Sequence, residues 1–164
     1  MYSTASWIDR RLEVRPSAIA CLGLVAGTAI PTGAAVVVWG GQEVEVWRRG
    51  CVAVAEDRYL AGSDASDFLN HSCDSNLWMQ DAVTLVVRRA VAAGEEATVD
   101  YALFEADERW RASWRCRCGS AHCRGVVSGE DWRAPQLQAR YGGHLSPFLE
   151  NRIRRQRGVR ADGH

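Results

Sequence analysis

The sequence predicts one mostly β domain closed by short helices, and three observations predict it. Apolar runs are brief and rich in β-branched residues, as from Ala34 to Trp39. Glycine-bearing turns such as Gly40-Gly41 and Ala93-Gly94-Glu95-Glu96 end them. Helix-start signals come late, at Pro135 and at Ser146-Pro147. With 164 residues, 47% hydrophobic and 24% charged, the chain suits one globular unit with a real core and needs no second domain.

In chain order, Ala34 to Trp39, Val44 to Trp47 and Cys51 to Val54 read as short strands. Leu77 to Met79 and Ala82 to Val91 read as a hairpin or meander, and Thr98-Val99-Asp100-Tyr101 is extended after the Gly94 turn. The first helix starts at Pro135 and stops at Gly142-Gly143. The second carries Phe148, Leu149, Arg152 and Ile153 on one face. Arg154, Arg155 and Arg157 lie on the other, a solvated face, and the chain is expected to run out through Gly158 into a mobile end.

The stretch from Met1 to Arg15 has no apolar export core and no run approaches a membrane span, so a cytoplasmic protein with reduced thiols and no membrane partner is expected. Net charge is zero, which argues against a general nucleic-acid binder. All 20 basic residues are arginine; there is no lysine.

Four of the six cysteines form a divided set: Cys73, within Asn70-His71-Ser72-Cys73, and Cys116, Cys118 and Cys123 far downstream. Four thiolates saturate one tetrahedral Zn²⁺, which is then structural and staples the distant segment beside Cys73. Disulfides fit less well, because Cys116 and Cys118 are too close for an easy mutual bridge. His122 reads as a loop residue. Cys21 and Cys51, alone in apolar surroundings, read as small buried hydrophobes.

Ile19 to Ala26, Ile30-Pro-Thr-Gly33, Phe68-Leu-Asn-His-Ser-Cys-Asp-Ser-Asn76, Gly94-Glu-Glu-Ala-Thr-Val-Asp-Tyr101 and Cys116 to Gly125 occur in the order and spacing of the SET-domain protein lysine methyltransferases with a post-SET zinc motif. The chain resembles a small bacterial-type member of that family. The resemblance implies a β-clip-like fold in which the Asn70 and Asp100 motifs cross in a knot-like way. It divides the chain into a SET domain at 10–109, a post-SET segment at 110–128 and a helical tail at 129–164.

It further implies methyl transfer from S-adenosylmethionine (AdoMet) to the side-chain amine of lysine on a protein substrate. Tyr101 then orients the amine. Asn70, His71 and Tyr101 bind the cofactor, and Leu22, Gly23 and Leu24 lend backbone groups, the glycine permitting close approach. Trp114 covers ligand or belongs to the interior; both readings stand, and Trp110 shares them. Glu95 and Glu96 read as solvated turn carboxylates, Asp100 as a structural tie, and Cys73 as pointing away from His71. The chain departs from the family at Cys21, Ser75 and Val99, and Gly50 and Cys51 take the approximate place of an aromatic that lines the lysine channel. These departures motivate one alternative, a degenerate SET fold that binds AdoMet or protein without catalysis.

Overall fold

The computed structural model describes residues 1–161, with side chains through 158. Eleven strands form two sheets. The strands are β1 (Trp7–Ile8), β2 (Leu12–Pro16), β3 (Leu22–Ala26), β4 (Ala35–Val38), β5 (Gln42–Val44), β6 (Val52–Ala55), β7 (Arg58–Ala61), β8 (Asn70–His71), β9 (Leu77–Met79), β10 (Thr84–Val87) and β11 (Glu96–Val99). Two helices follow, α1 (Pro135–Tyr141) and α2 (Pro147–Ala161). The larger sheet runs β1-β4-β10-β9-β11-β3-β2, with β8 pairing β11, and the smaller runs β5-β7-β6. The fold is mostly β, as expected.

Strand character follows burial. β10 reads Thr-Leu-Val-Val and is buried at every position, so its apolar run is continuous rather than alternating. β2 sits at the sheet edge and exposes four of its five residues, which is why it tolerates Glu13, Arg15 and Pro16. Gly94 turns the chain into β11 at φ 82°, a conformation that a side chain disfavours.

The pairing that positions the site is parallel: Thr98 lies opposite Asn70 and Val99 opposite His71. Segments far apart in sequence therefore lie side by side.

Several expectations are corrected. β5 ends at Val44, so Val46 and Trp47 are not strand residues; Trp47 instead turns to donate its indole N–H to Glu105. Tyr101 does not end a strand but opens a 3-10 turn, Tyr101–Leu103, capped by the Asp100 carboxylate. Cys51 is buried but Cys21 is exposed, because the Ser17 to Cys21 segment bulges outward before β3. Helix α2 passes Gly158 and reaches Ala161; the rest of the expected mobile end, 162–164, lies outside the described residues.

The tail closes the core. Leu137 and Tyr141 of α1, with Phe148, Leu149 and Ile153 of α2, are buried with strand residues such as Val36, Leu77 and Met79. Burial of each such side chain contributes about 1.5–3 kcal/mol. Arg152 pairs with Glu56 and so anchors α2 beside β6. No helix among the described residues is long and apolar enough to cross a membrane.

Candidate active site and metal centre

The sulfur atoms of Cys73, Cys116, Cys118 and Cys123 lie within 4.8 Å of one another, and those of Cys73 and Cys116 are 3.8 Å apart. A tetrahedral site with metal–sulfur bonds of about 2.3 Å places its sulfurs about 3.8 Å apart, so this donor set fits one thiophilic ion. His122 is exposed and stands outside the group. Burial pushes the Cys73 thiol up. For Cys118 burial also raises the pKa, but hydrogen bonds from the Ser120 backbone and neighbouring cysteines outweigh it and bring the thiol down to about 7.

Arg124 locks the cysteine segment to the last strand. Its guanidinium forks onto both oxygens of the fully buried Asp100, and its Nε binds Asp131 at 2.7 Å. Its backbone N–H also points at the Cys73 sulfur, 3.4 Å away. Asp100 is thus structural, as read from the sequence, but it grips the cysteine segment.

His71 links the two regions. The Tyr101 backbone N–H donates to His71 Nδ1 at 3.2 Å, so the neutral ring carries its proton on Nε2, which faces Cys73 Sγ at 3.3 Å. The expectation that Cys73 points away from His71 is therefore wrong: the chain turns sharply after β8 and returns the thiol to the ring. Burial, only partly offset by Asp100, holds the His71 pKa down at about 4, so the ring is neutral near pH 7.

Tyr101 stacks edge-on against His71 and Trp114, with ring centres 5.2 and 6.3 Å away. Its hydroxyl donates to the Leu69 carbonyl at 2.9 Å, and burial raises its pKa to about 12, so the phenol stays protonated. With the hydrogen so committed, the oxygen's lone pairs are left for whatever occupies the adjoining space.

Two cavities meet at this residue. One, of about 580 Å³, is walled by Trp47, Val99, Tyr101, Phe104, Glu105 and Trp110 among others. The other, of about 990 Å³, is walled by Ile19, Asn70, His71, Glu96, Tyr101 and the cysteine segment. Tyr101 and Trp114 line both. Trp114 is 41% exposed and its ring centre lies 5.8 Å from that of His71, so it stands at the cavity walls and not in the interior.

Asn70 is held by three acceptors: Glu96 at 2.6 Å, the Leu22 carbonyl at 2.8 Å and Ser17 at 3.3 Å. Glu96, which also accepts from Ser17 at 2.7 Å, is therefore not a merely solvated carboxylate. Glu95 likewise binds Arg89 and Asn76. Gly23 sits so close that an added Cβ would lie 2.1 Å from Glu96 Oε1. Leu22, Gly23 and Leu24 stand on β3 behind Asn70, with the Leu24 side chain in the core. The preceding residues 18–20 supply the cavity wall.

Sequence reasoning missed Trp47, Phe104, Glu105 and Arg124. Gly50 and Cys51 do line the smaller cavity, but the aromatic that their place lacks is made up by Trp47, Phe104 and Trp110. The run Tyr101-Ala-Leu-Phe-Glu105, one turn past the strand, was the available signal for two of them.

A family model for the SET domain matches residues 21–102. Relatives include the histone-lysine N-methyltransferase ash1 of Drosophila melanogaster, 37% identical over 117 residues, 66% of this chain and 5% of that protein. Histone-lysine N-methyltransferase ATX2 of Arabidopsis thaliana is 37% identical over 78 residues, 43% of this chain and 7% of that protein. Histone-lysine N-methyltransferase SETD2 of Homo sapiens is 33% identical over 75 residues, covering 42% and 3% respectively. The matched stretches are thus small parts of much longer relatives.

Proposed function

Because the chain belongs to the SET-domain family, we propose that it is an AdoMet-dependent protein-lysine N-methyltransferase. The observation that carries this reading is the meeting of two cavities at Tyr101, since methyl transfer needs a donor and an acceptor brought in line from opposite sides. When bound, AdoMet supplies a sulfonium methyl for displacement. Positioning of the reacting groups is worth on the order of 7–11 kcal/mol, and here the protein provides it chiefly through shape.

The larger cavity fits AdoMet in size and chemistry: Asn70 and His71 lie at its floor, Ile19 gives it an apolar side and Trp114 half covers it. Asn70, His71, Tyr101 and Trp114, with backbone groups of residues 18–20, are assigned to the cofactor, whereas Leu22, Gly23 and Leu24 lie behind Asn70 and off this cavity wall. The smaller, aromatic cavity takes the lysine. There the Tyr101 oxygen, its hydrogen held by Leu69, offers lone pairs that orient the amine. The amine must lose its proton before it attacks, and the positive charge of a bound donor beside it disfavours the ammonium form of a lysine whose free pKa is about 10.4. No carboxylate base is needed for this.

The four-cysteine group is assigned to one structural Zn²⁺, supported by its all-thiolate donor set and the fitting sulfur spacing. Residues 10–109, 110–128 and 129–164 then act as SET domain, post-SET cap and supporting tail. Zinc-bound thiolates and the unpaired Cys21 and Cys51 persist in a reducing compartment, which supports the cytoplasm. The substrate is a lysine-containing protein. The relatives are named for histones, and that target is theirs.

Incubating the zinc-loaded protein with methyl-labelled AdoMet and a lysine peptide array tests the reading. Label on lysine is the expected result. AdoMet binding by calorimetry with no transfer to any lysine peptide would instead favour the non-catalytic alternative, for which the departures at Cys21 and Val99 speak.

A further inference from the structure

We propose that Glu105 selects the cationic side chain of the substrate, its carboxylate receiving the ammonium of the incoming lysine inside an aromatic cavity. This rests on assigning the smaller cavity to the lysine. Glu105 is 7% exposed and lines that cavity together with Trp47, Tyr101, Phe104 and Trp110. It sits one turn beyond Tyr101, its backbone N–H donating to the Tyr101 carbonyl at 2.8 Å.

Its partners are all neutral. Oε1 accepts from the backbone N–H groups of Ala106 at 2.9 Å and Asp107 at 3.0 Å; among the described residues Oε2 accepts only the Trp47 indole N–H, at a long 3.3 Å. The contrast with Asp100 is informative, since that buried carboxylate is gripped by Arg124. Among the described residues no arginine forms an ion pair with Glu105, although Arg49 and Arg111 line the same cavity.

A buried anion without a counter-charge is costly, and a ligand cation removes that cost. Ring faces around it add cation–π attraction. Oε2, held by a single long contact, has lone pairs to spare for an N–H donor. The same chemistry receives mono- and dimethyl-lysine, which remain cations at neutral pH and must each lose the proton before a further transfer.

The test uses the full, zinc-loaded chain and two small probes of nearly equal shape, Nα-acetyl-lysine methylamide and the uncharged Nα-acetyl-norleucine methylamide. Binding is followed by calorimetry, and position by the Trp47 indole and Glu105 carboxyl carbon resonances. The wild-type protein should prefer the lysine probe by about tenfold, with both resonances moving, whereas Glu105→Gln should bind the two within about twofold. The carboxyl resonance needs no variant, so a poorly folded Glu105→Gln does not block the test. A preference kept by Glu105→Gln, or a carboxyl resonance that ignores the lysine probe, overturns the inference and leaves the methyltransferase reading intact if the peptide array takes label. No preference in the wild type together with no label on any peptide removes both.

Discussion

Arg124 and Asp100 form a forked, fully hydrogen-bonded ion pair, with nitrogen–oxygen distances of 2.6 and 2.8 Å, that clamps the cysteine segment onto the end of β11. The Asp100 side chain is fully buried and that of Arg124 is 17% exposed. Removing one partner leaves the other charge buried alone. Arg124→Ala should destabilise the protein by about 3–5 kcal/mol in urea unfolding. Arg124→Lys should recover only part of this, because an ammonium cannot make the fork. An Arg124→Ala variant as stable as wild type would mean that the clamp is incidental.

Zinc should be present at about one equivalent in protein purified under reducing conditions, and Cys73→Ser or Cys118→Ser should strip it. His71 Nε2 faces the Cys73 sulfur and His71 Nδ1 holds Tyr101, so metal loss should also weaken AdoMet binding. Metal analysis that finds none in the wild type would remove the structural-zinc assignment.

Tyr101→Phe removes the hydroxyl but keeps the ring against His71 and Trp114. Transfer should fall by about 10²-fold, the usual loss for one preorganised polar group, while AdoMet affinity changes little. His71→Ala should weaken AdoMet binding, and because its ring also holds the Tyr101 backbone, turnover should fall too. Full turnover by Tyr101→Phe on a confirmed substrate would show that the hydroxyl serves only Leu69.

Val99 is fully buried on the wall of the smaller cavity and offers neither bulk nor a hydroxyl. Di- or trimethyl-lysine is therefore the expected main product under excess AdoMet, and Val99→Tyr should shift it toward monomethyl-lysine. Mass spectrometry of a substrate peptide reads this directly. The chain has no lysine, so no side-chain self-methylation masks the signal. A wild-type product that stops at monomethyl would show that other walls set the width.

Burial is the main reason that the Glu105 carboxyl lies above its ordinary value. Such a group holds its proton more tightly folded than unfolded, so its contribution favours the fold in acid and is lost as pH rises through the carboxyl range. Glu105→Gln carries no charge at any pH. Its melting temperature relative to wild type should therefore climb between about pH 4 and pH 7. A difference that stays flat would mean that Glu105 is not desolvated in solution.

The sequence alone determined the β class, the late helices, the Cys116 to Cys123 cluster and the Tyr101 motif, because each is written in local signals. A short β-branched apolar run, a proline at a helix start and a cluster of closely spaced cysteines need no partner to be read. The tertiary structure alone decided which residues face one another across the site. Glu96 reads as a turn carboxylate until Ser17 and Asn70 are folded against it. Cys73 stands alone until folding brings the Cys116 sulfur, 43 positions away, within 3.8 Å of its own. Trp47 reads as strand until its indole is drawn to Glu105, which is 58 positions away. These contacts join segments of large sequence separation, and their energies depend on burial and counter-charge that no local pattern specifies.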